Sequence, residues 1–343
     1  MKHKILAIAL VSALPLVAQA QTSVTMYGMV DASIGVENND APGTSSRTVV
    51  SSGTQSASRI GFRGTEDLGN GLKALFNIEA AVAVDTGATD SNMFQRRAVV
   101  GLQGAFGTVT VGREYGPIAA VAAASDTLGQ GFYGSNLAGF GANRLTRRLS
   151  NSVNYQSNAL SGFTLRAAYG AGEVVETNNL NSGDVTGVAL EYANAGLYIG
   201  AGYQNVERLP SGDDKEYNAG IGYKFGDFEV RAGYMAADPE TGILPSAKYE
   251  QKNAGVSYGF GANRVFLNYQ QQELASGAEG KAVTVAYTYT LSKRTNVYAS
   301  YAKLRNNNNG VFSLTSPSGT IALPATAFGA DPQVYNVGVR HAF

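Results

Sequence analysis

Few side chains here could make or break a covalent bond. There is no cysteine, and the only histidines are His3 and His341. A thiol nucleophile, a zinc site and a histidine-based triad therefore lack their usual members, and neither catalysis nor a metal nor a cofactor is expected. What the chain offers instead is fixed charge. Arginine stays protonated at any working pH, and arginines collect at the ends of one stretch: Arg113 and Glu114 open residues 113–148, and Arg144, Arg147 and Arg148 close it. Between Tyr115 and Asn143 the one ionised side chain is Asp126, with Tyr133 farther along. Such a set can attract, orient or repel passing ions; it cannot perform group transfer.

Residues 113–148 do not read as a strand. A short alanine-rich segment at 119–124 could form a turn or two of helix, followed by a glycine- and aromatic-rich tail. An insertion of this length inside a compact domain needs a task. The expectation is that it folds into the lumen of a membrane β-barrel and narrows it.

The elements that would hold it follow from the rest of the chain. Lys2 and Lys4, the apolar run 5–17 and Ala18-Gln19-Ala20 have the form of a secretory signal peptide, so residues 1–20 are expected to be removed and 21–343 to fold. Lysine plus arginine equals aspartate plus glutamate at 26 each, which gives no strongly basic surface for nucleic acid. Charged residues make up only 15 % of the chain, and no apolar run past the leader approaches the ~18 residues of a membrane helix. A membrane-spanning fold would then have to be a closed barrel, since only helices and closed barrels satisfy every backbone group in lipid.

Period-2 alternation runs throughout. Val24, Met26, Gly28, Val30, Ala32 and Ile34 share one face, against Thr25, Tyr27, Asp31 and Ser33. Leu72, Ala74, Phe76, Ile78 and Ala80 repeat the pattern against Lys73, Asn77 and Glu79. Tight Gly/Asn-rich turns alternate with longer polar loops. The count is roughly sixteen strands of about ten residues, with short periplasmic turns, longer outer loops and both chain ends on one side. The closing strand puts Tyr335, Val337, Val339, His341 and the terminal Phe343 on one face. That pattern resembles the signature by which the barrel-assembly machinery recognises outer-membrane barrels.

The blocks SVTMYGMVDASI at 23–34, SRIGFRGTEDLGNGLKALF at 58–76, RRAVVGLQGAFGTVTVGR at 96–113, RRLSNSVNYQS at 147–157 and YNVGVRHAF at the end resemble the general porins of the β-proteobacterial type. The resemblance implies an all-β fold, a 16-stranded antiparallel transmembrane β-barrel with a long inward-folded third loop. It further implies a homotrimer in the outer membrane, in contact with outer-membrane lipid and lipopolysaccharide, passing small hydrophilic solutes and anions. The family's constriction arginines fall on Arg59, Arg96 and Arg148; Asp126, the one ionised side chain between Tyr115 and Asn143, is added to them as a constriction candidate. Lys73, Arg97, Arg113, Glu114, Tyr133, Arg144 and Arg147 are candidates for the surrounding lumen. Strand parity leaves one of Arg96 and Arg97 facing lipid unless a bulge intervenes or one lies beyond the hydrocarbon.

The loop also departs from its enterobacterial counterparts, whose Pro-Glu-Phe-Gly-Gly segment sets carboxylates against the arginines. With that segment missing, the expected pore prefers anions. An outer-membrane adhesin, a substrate-specific channel and a soluble secreted β-rich binding protein are the alternatives. Gly139–Arg144 recurs as Gly259–Arg264; without a third glycine or a βαβ context this is turn chemistry, not a dinucleotide fingerprint.

Overall fold

The computed structural model describes residues 23–136, 140, 145–178, 182–207, 212–239 and 248–343. The leader at 1–20 and Arg144 lie outside the described residues. The strands are β1 (Ser23–Asn38), β2 (Arg47–Ser52), β3 (Arg59–Gly69), β4 (Leu72–Ala81), β5 (Arg97–Gly104) and β6 (Gly107–Tyr115), followed by helix α1 (Pro117–Ala124). After the helix come β7 (Arg148–Gln156), β8 (Phe163–Gly170), β9 (Val185–Asn194), β10 (Leu197–Glu207), β11 (Asp213–Phe225) and β12 (Phe228–Pro239). The chain ends with β13 (Tyr249–Phe260), β14 (Asn263–Leu274), β15 (Glu279–Thr290), β16 (Thr295–Asn306), a small hairpin of β17 (Leu314–Thr315) and β18 (Thr320–Ile321), and β19 (Gln333–Ala342).

Every neighbouring pair in the main sheet is antiparallel, and β19 pairs with β1 from Met29↔Ala342 to Asn38↔Gln333, which closes the ring. The sheet contains seventeen segments, but β2 and β3 both pair with β1 and form one interrupted strand, leaving sixteen. Closure matters because it leaves no edge whose backbone donors and acceptors would meet lipid. The interruption has a local cause. Asp31 accepts Ser56 N on its carboxylate at 2.8 Å and Gly53 N on its carbonyl at 2.8 Å, while its own N–H donates to Ser58 Oγ at 2.9 Å. These bonds stand in for the missing ladder and let residues 53–58 bend inward.

Alternation sorts the side chains as expected from the sequence. Ile34, Val100, Leu190, Leu267, Val285 and Val337 are exposed on the outside, as an apolar belt meeting lipid requires. At the short-turn end Tyr223, Phe225, Phe228, Tyr258 and Phe260 stack in series, with ring centroids 4.3 to 5.8 Å apart, the interfacial place that aromatic rings favour. His341 faces outward at this end, its Nδ1 2.8 Å from Thr295 Oγ1.

The buried apolar side chains lie inside the ring, between the long loop and the wall. Helix α1 starts at Pro117, where a missing N–H costs nothing because that donor has no intrahelical partner anyway. Its Ile118 and Ala122 pack on Met235, Ala237 and Tyr249 of β12 and β13. Farther on, Phe132 meets Phe266 and Tyr298, and Tyr133 and Phe140 join Phe312, Leu314 and Ile321 beside the β17–β18 hairpin.

Candidate pore constriction

Two kinds of wall position the loop. On β9 to β13 the inward positions facing α1 and the residues after it include Gly187, Gly202, Gly220, Gly233 and Gly255. A Cβ at Gly220 would come within 2.5 Å of Ser125 Cβ, one at Gly255 within 2.6 Å of Thr127 Oγ1, and one at Gly202 within 3.1 Å of Ile118. Absence of side chains makes the wall flat enough to receive the loop backbone. Beside these glycines, wall side chains donate to loop carbonyls: Asn218 to Ile118 at 2.6 Å, Asn253 to Ser125 at 2.9 Å and Gln251 to Asn136 at 2.7 Å. Thr284 donates to Tyr133 at 2.7 Å and Arg231 to Ala124 at 2.9 Å. Loop carbonyls left over by the irregular backbone thus find donors, as buried polar groups must. On the far side Phe132 N–H donates to Thr54 O at 2.7 Å and Gly134 N–H to Thr315 O at 3.0 Å. The loop is therefore strapped across the lumen at both ends.

What remains open is a cavity of about 910 Å³ against the opposite wall. Its loop side is uncharged, formed by Ala119, Ala120, Ala123, Gly129 and Gln130. Its wall side carries Arg59, Arg96, Arg97, Arg147, Arg148 and Arg340, with Glu79 and Asp90 as the carboxylates around it. Glu79 accepts from Arg96 Nε at 2.6 Å and lies 3.5 Å from Arg59 Nε. Tyr115 is the hub of the like charges. Arg148 and Arg147 stand over its ring at 4.7 and 5.6 Å, and its hydroxyl accepts from Arg148 at 3.0 Å. A ring face beneath each guanidinium offsets part of their mutual repulsion. Burial and the adjacent Arg148 push the Arg147 guanidinium down to about 10, still cationic at neutral pH. The Nε donors of Arg147 and Arg148 are buried without an acceptor among the described residues.

The sequence-predicted residues distribute unevenly. Arg59, Arg96 and Arg148 come together with Arg97 and Arg147 around the cavity. The parity conflict between Arg96 and Arg97 disappears because β5 begins only at Arg97. Arg97 follows the strand inward and pairs with Glu114 Oε2 at 2.9 Å, while Arg96 turns toward Glu79 free of the alternation. Glu114 and Arg97 also border a smaller space of about 310 Å³ nearer the short turns, with Arg166.

Four placements depart from expectation. Asp126 is not on the lumen surface: it is fully buried, its carboxylate accepting Leu128 N at 3.0 Å, Gln130 N at 2.8 Å and Asn136 N at 3.3 Å. A carboxylate that organises the turn of its own loop is used up there, and burial raises its pKa to about 6. Tyr133 is likewise buried, because its ring completes the cluster with Phe140 and Leu314. Arg113 faces away from the lumen. Its cross-strand partner is Ala98, in phase with the exposed Val100 and Leu102, and it donates to Gln95 O and Ser150 Oγ at 2.6 Å each. The register shift at Gly112/Glu114 in the β6–β7 pairing places the extra residue on β7, so β6 keeps its parity and turns Arg113 outward with Val111 and Glu114 inward. Lys73 sits exposed at the short-turn end of β4, away from the cavity. Arg340, Glu79 and Tyr115 were absent from the predicted set; the inward parity of Arg340 with Asn336 was the available signal.

A family model described as Gram-negative porin matches residues 7–309. The chain belongs to the Gram-negative porins. Outer membrane porin protein 32 of Delftia acidovorans is 31 % identical to this porin, with both chains covered in full. An outer membrane porin protein of Bordetella pertussis matches at 31 %, again over the whole of both. Among solved structures, an anion-selective porin from Comamonas acidovorans superposes with a TM-score of 0.83 at 28 % identity, covering 94 % of this porin and 100 % of that chain. Family, closed ring and apolar belt together make this porin a multi-strand channel of the outer membrane, and a passive one. Members of the family are known as channels rather than enzymes.

Proposed function

We propose that this porin is a general diffusion channel that prefers anions, with Arg59, Arg96 and Arg148 lining its narrowest part and Arg147, Arg97 and Arg340 extending the same wall. The carrying observation is the imbalance around the cavity: six arginines against Glu79 and Asp90, facing a loop surface of alanine and glycine. A field that is not answered by carboxylates across the gap draws anions in and raises the barrier for cations. The similarity to a porin titled anion-selective supports the same reading. Removal of residues 1–20 as a signal, assembly as a homotrimer, insertion by the barrel-assembly machinery, and contact with lipopolysaccharide belong to this proposal. Reversal potential across a planar bilayer with a salt gradient tests the selectivity: the expected sign is that of anion preference, and a cation-selective potential from the purified protein overturns it.

A further inference from the structure

Below the loop, toward the short turns, the lumen wall is charged in a different manner. Arg97 of β5 donates from Nε and Nη2 to Glu114 Oε2 of β6, the first at 2.9 Å. Arg166 of β8 donates from Nε to Glu191 Oε2 of β9 and from Nη1 to Gln156 Oε1 at 2.6 Å. Each guanidinium meets one carboxylate here, whereas the cavity above sets six arginines against Glu79 and Asp90. Arg97 Nη1 and Arg166 Nη2 keep no acceptor among the described residues.

The niche of about 310 Å³ between these pairs is lined on the wall by Asn154 and on the loop by Pro117 and Ala120 of α1. Asn154 is only 8 % exposed. Its Nδ2 donates to Ser152 Oγ at 2.8 Å, and its Oδ1 is buried with no donor among the described residues. A buried acceptor left in this way is costly unless something entering the niche donates to it. Strand register sets it near a cation. Gln156 lies directly opposite Arg166, and Asn154 is the next residue on the same face of β7, a diagonal separation of about 7–8 Å.

We propose that this niche is a binding station for a zwitterionic α-amino acid with a small apolar side chain. Its carboxylate docks on the free edges of Arg166 and Arg97, as guanidinium groups favour. Its ammonium donates to Asn154 Oδ1 and faces the Glu114 carboxylate, and its side chain rests on Pro117 and Ala120. A simple anion lacks the donor that Asn154 needs and lies against Glu114; a simple cation meets two guanidinium groups. Only a solute carrying both charges answers every group. Arg97 borders both spaces, so a solute leaving the constriction passes directly to the station.

The test titrates the purified porin in detergent with L-valine, with isovalerate, which lacks the ammonium, and with isobutylamine, which lacks the carboxylate. Ligand-observed NMR gives the dissociation constants. L-Valine is expected to bind about tenfold or more tightly than either control, and Asn154→Leu to weaken it about tenfold, as for loss of a hydrogen bond to a charged group, with isovalerate nearly unchanged. Arg166→Gln combined with Glu191→Gln removes the charge while leaving the pair neutral, and should weaken L-valine by a similar factor. Heat-modifiable gel migration identifies which variants fold. Equal binding of L-valine and isovalerate, or undiminished L-valine binding in either folded variant, overturns the proposal. A cation-selective reversal potential from the wild type counts against the constriction reading alone, because that potential reads the arginine cavity and not the amide.

Discussion

The two inner walls of the ring solve opposite problems. The wall from β9 to β15 is covered by the loop, and there the inward positions are mostly glycines, amides and hydroxyls that fit and hold a backbone, with Arg231 and Glu216 bonded to the loop. The wall built from β3, the start of β5, the approach to β7 and β19 faces water, and there the inward positions are guanidinium groups. Burial accounts for the difference. A charge under the loop loses its hydration and persists only where it gains a partner, whereas a charge facing an aqueous lumen keeps its hydration and acts on whatever passes. One region thus fixes how wide the channel is, and the other fixes which ions use it.

That division can be broken most forcefully at the seat. Gly220→Val adds branched volume where a Cβ alone already comes within 2.5 Å of Ser125. Overpacking costs about 1–3 kcal/mol, and it falls here on the docked loop. Single-channel recordings should show larger and noisier conductance, while heat-modifiable gel migration shows an intact barrel. Unchanged conductance would mean that the glycines do not set the width.

The opposite wall should respond in selectivity. Arg148→Ala is expected to lower anion preference by roughly fivefold in permeability ratio, on the scale of about 1 kcal/mol for a charge a few ångströms away in water. Barrel stability and conductance should change little, and an unaltered reversal potential would take Arg148 out of the constriction.

A smaller effect is expected from pH. Burial lifts Asp126 from 3.8 to about 6, so the folded loop binds a proton more readily than the unfolded chain does. The sign follows: docking weakens as pH rises through 6 and strengthens as it falls toward 4. Hydrogen exchange of loop amides at pH 4.5 and 7.5 should show slower intrinsic-rate-corrected exchange at the lower value, and Asp126→Asn should flatten the difference.

The mildest change is to one strap. Asn253→Ala removes the donor to Ser125 O, a loss of about 0.5–1.5 kcal/mol. Brief widening events in current recordings should become more frequent, with selectivity preserved; identical traces would show the strap to be redundant.

Much of this was readable from the chain itself. Alternation repeats every two residues, so the outward face of Val24 to Ile34 or of Val334 to Phe343 is visible in any short window, and sixteen strands follow from counting turns. Arg59, Arg96 and Arg148 were found through sequence blocks. The seat was not legible, because the meaning of Gly220 depends on Ser125, far away in sequence. Asp126 misled for the same reason: a lone carboxylate in an arginine-bounded loop suggests a counter-charge, and only the fold reveals the three amides it serves. Arg113 was misplaced through its position at the mouth of the loop, although its spacing from Val109 and Val111 already set it on the outward face.

Ring closure by β1 and β19 has one more consequence. The residues that complete the lattice, Met29 with Ala342 and Asn38 with Gln333, come from opposite ends of the polypeptide. No shorter ribosomal product can hide its two raw borders, so a stop codon shortly before Gln333 would leave β1 and β16 both unmatched.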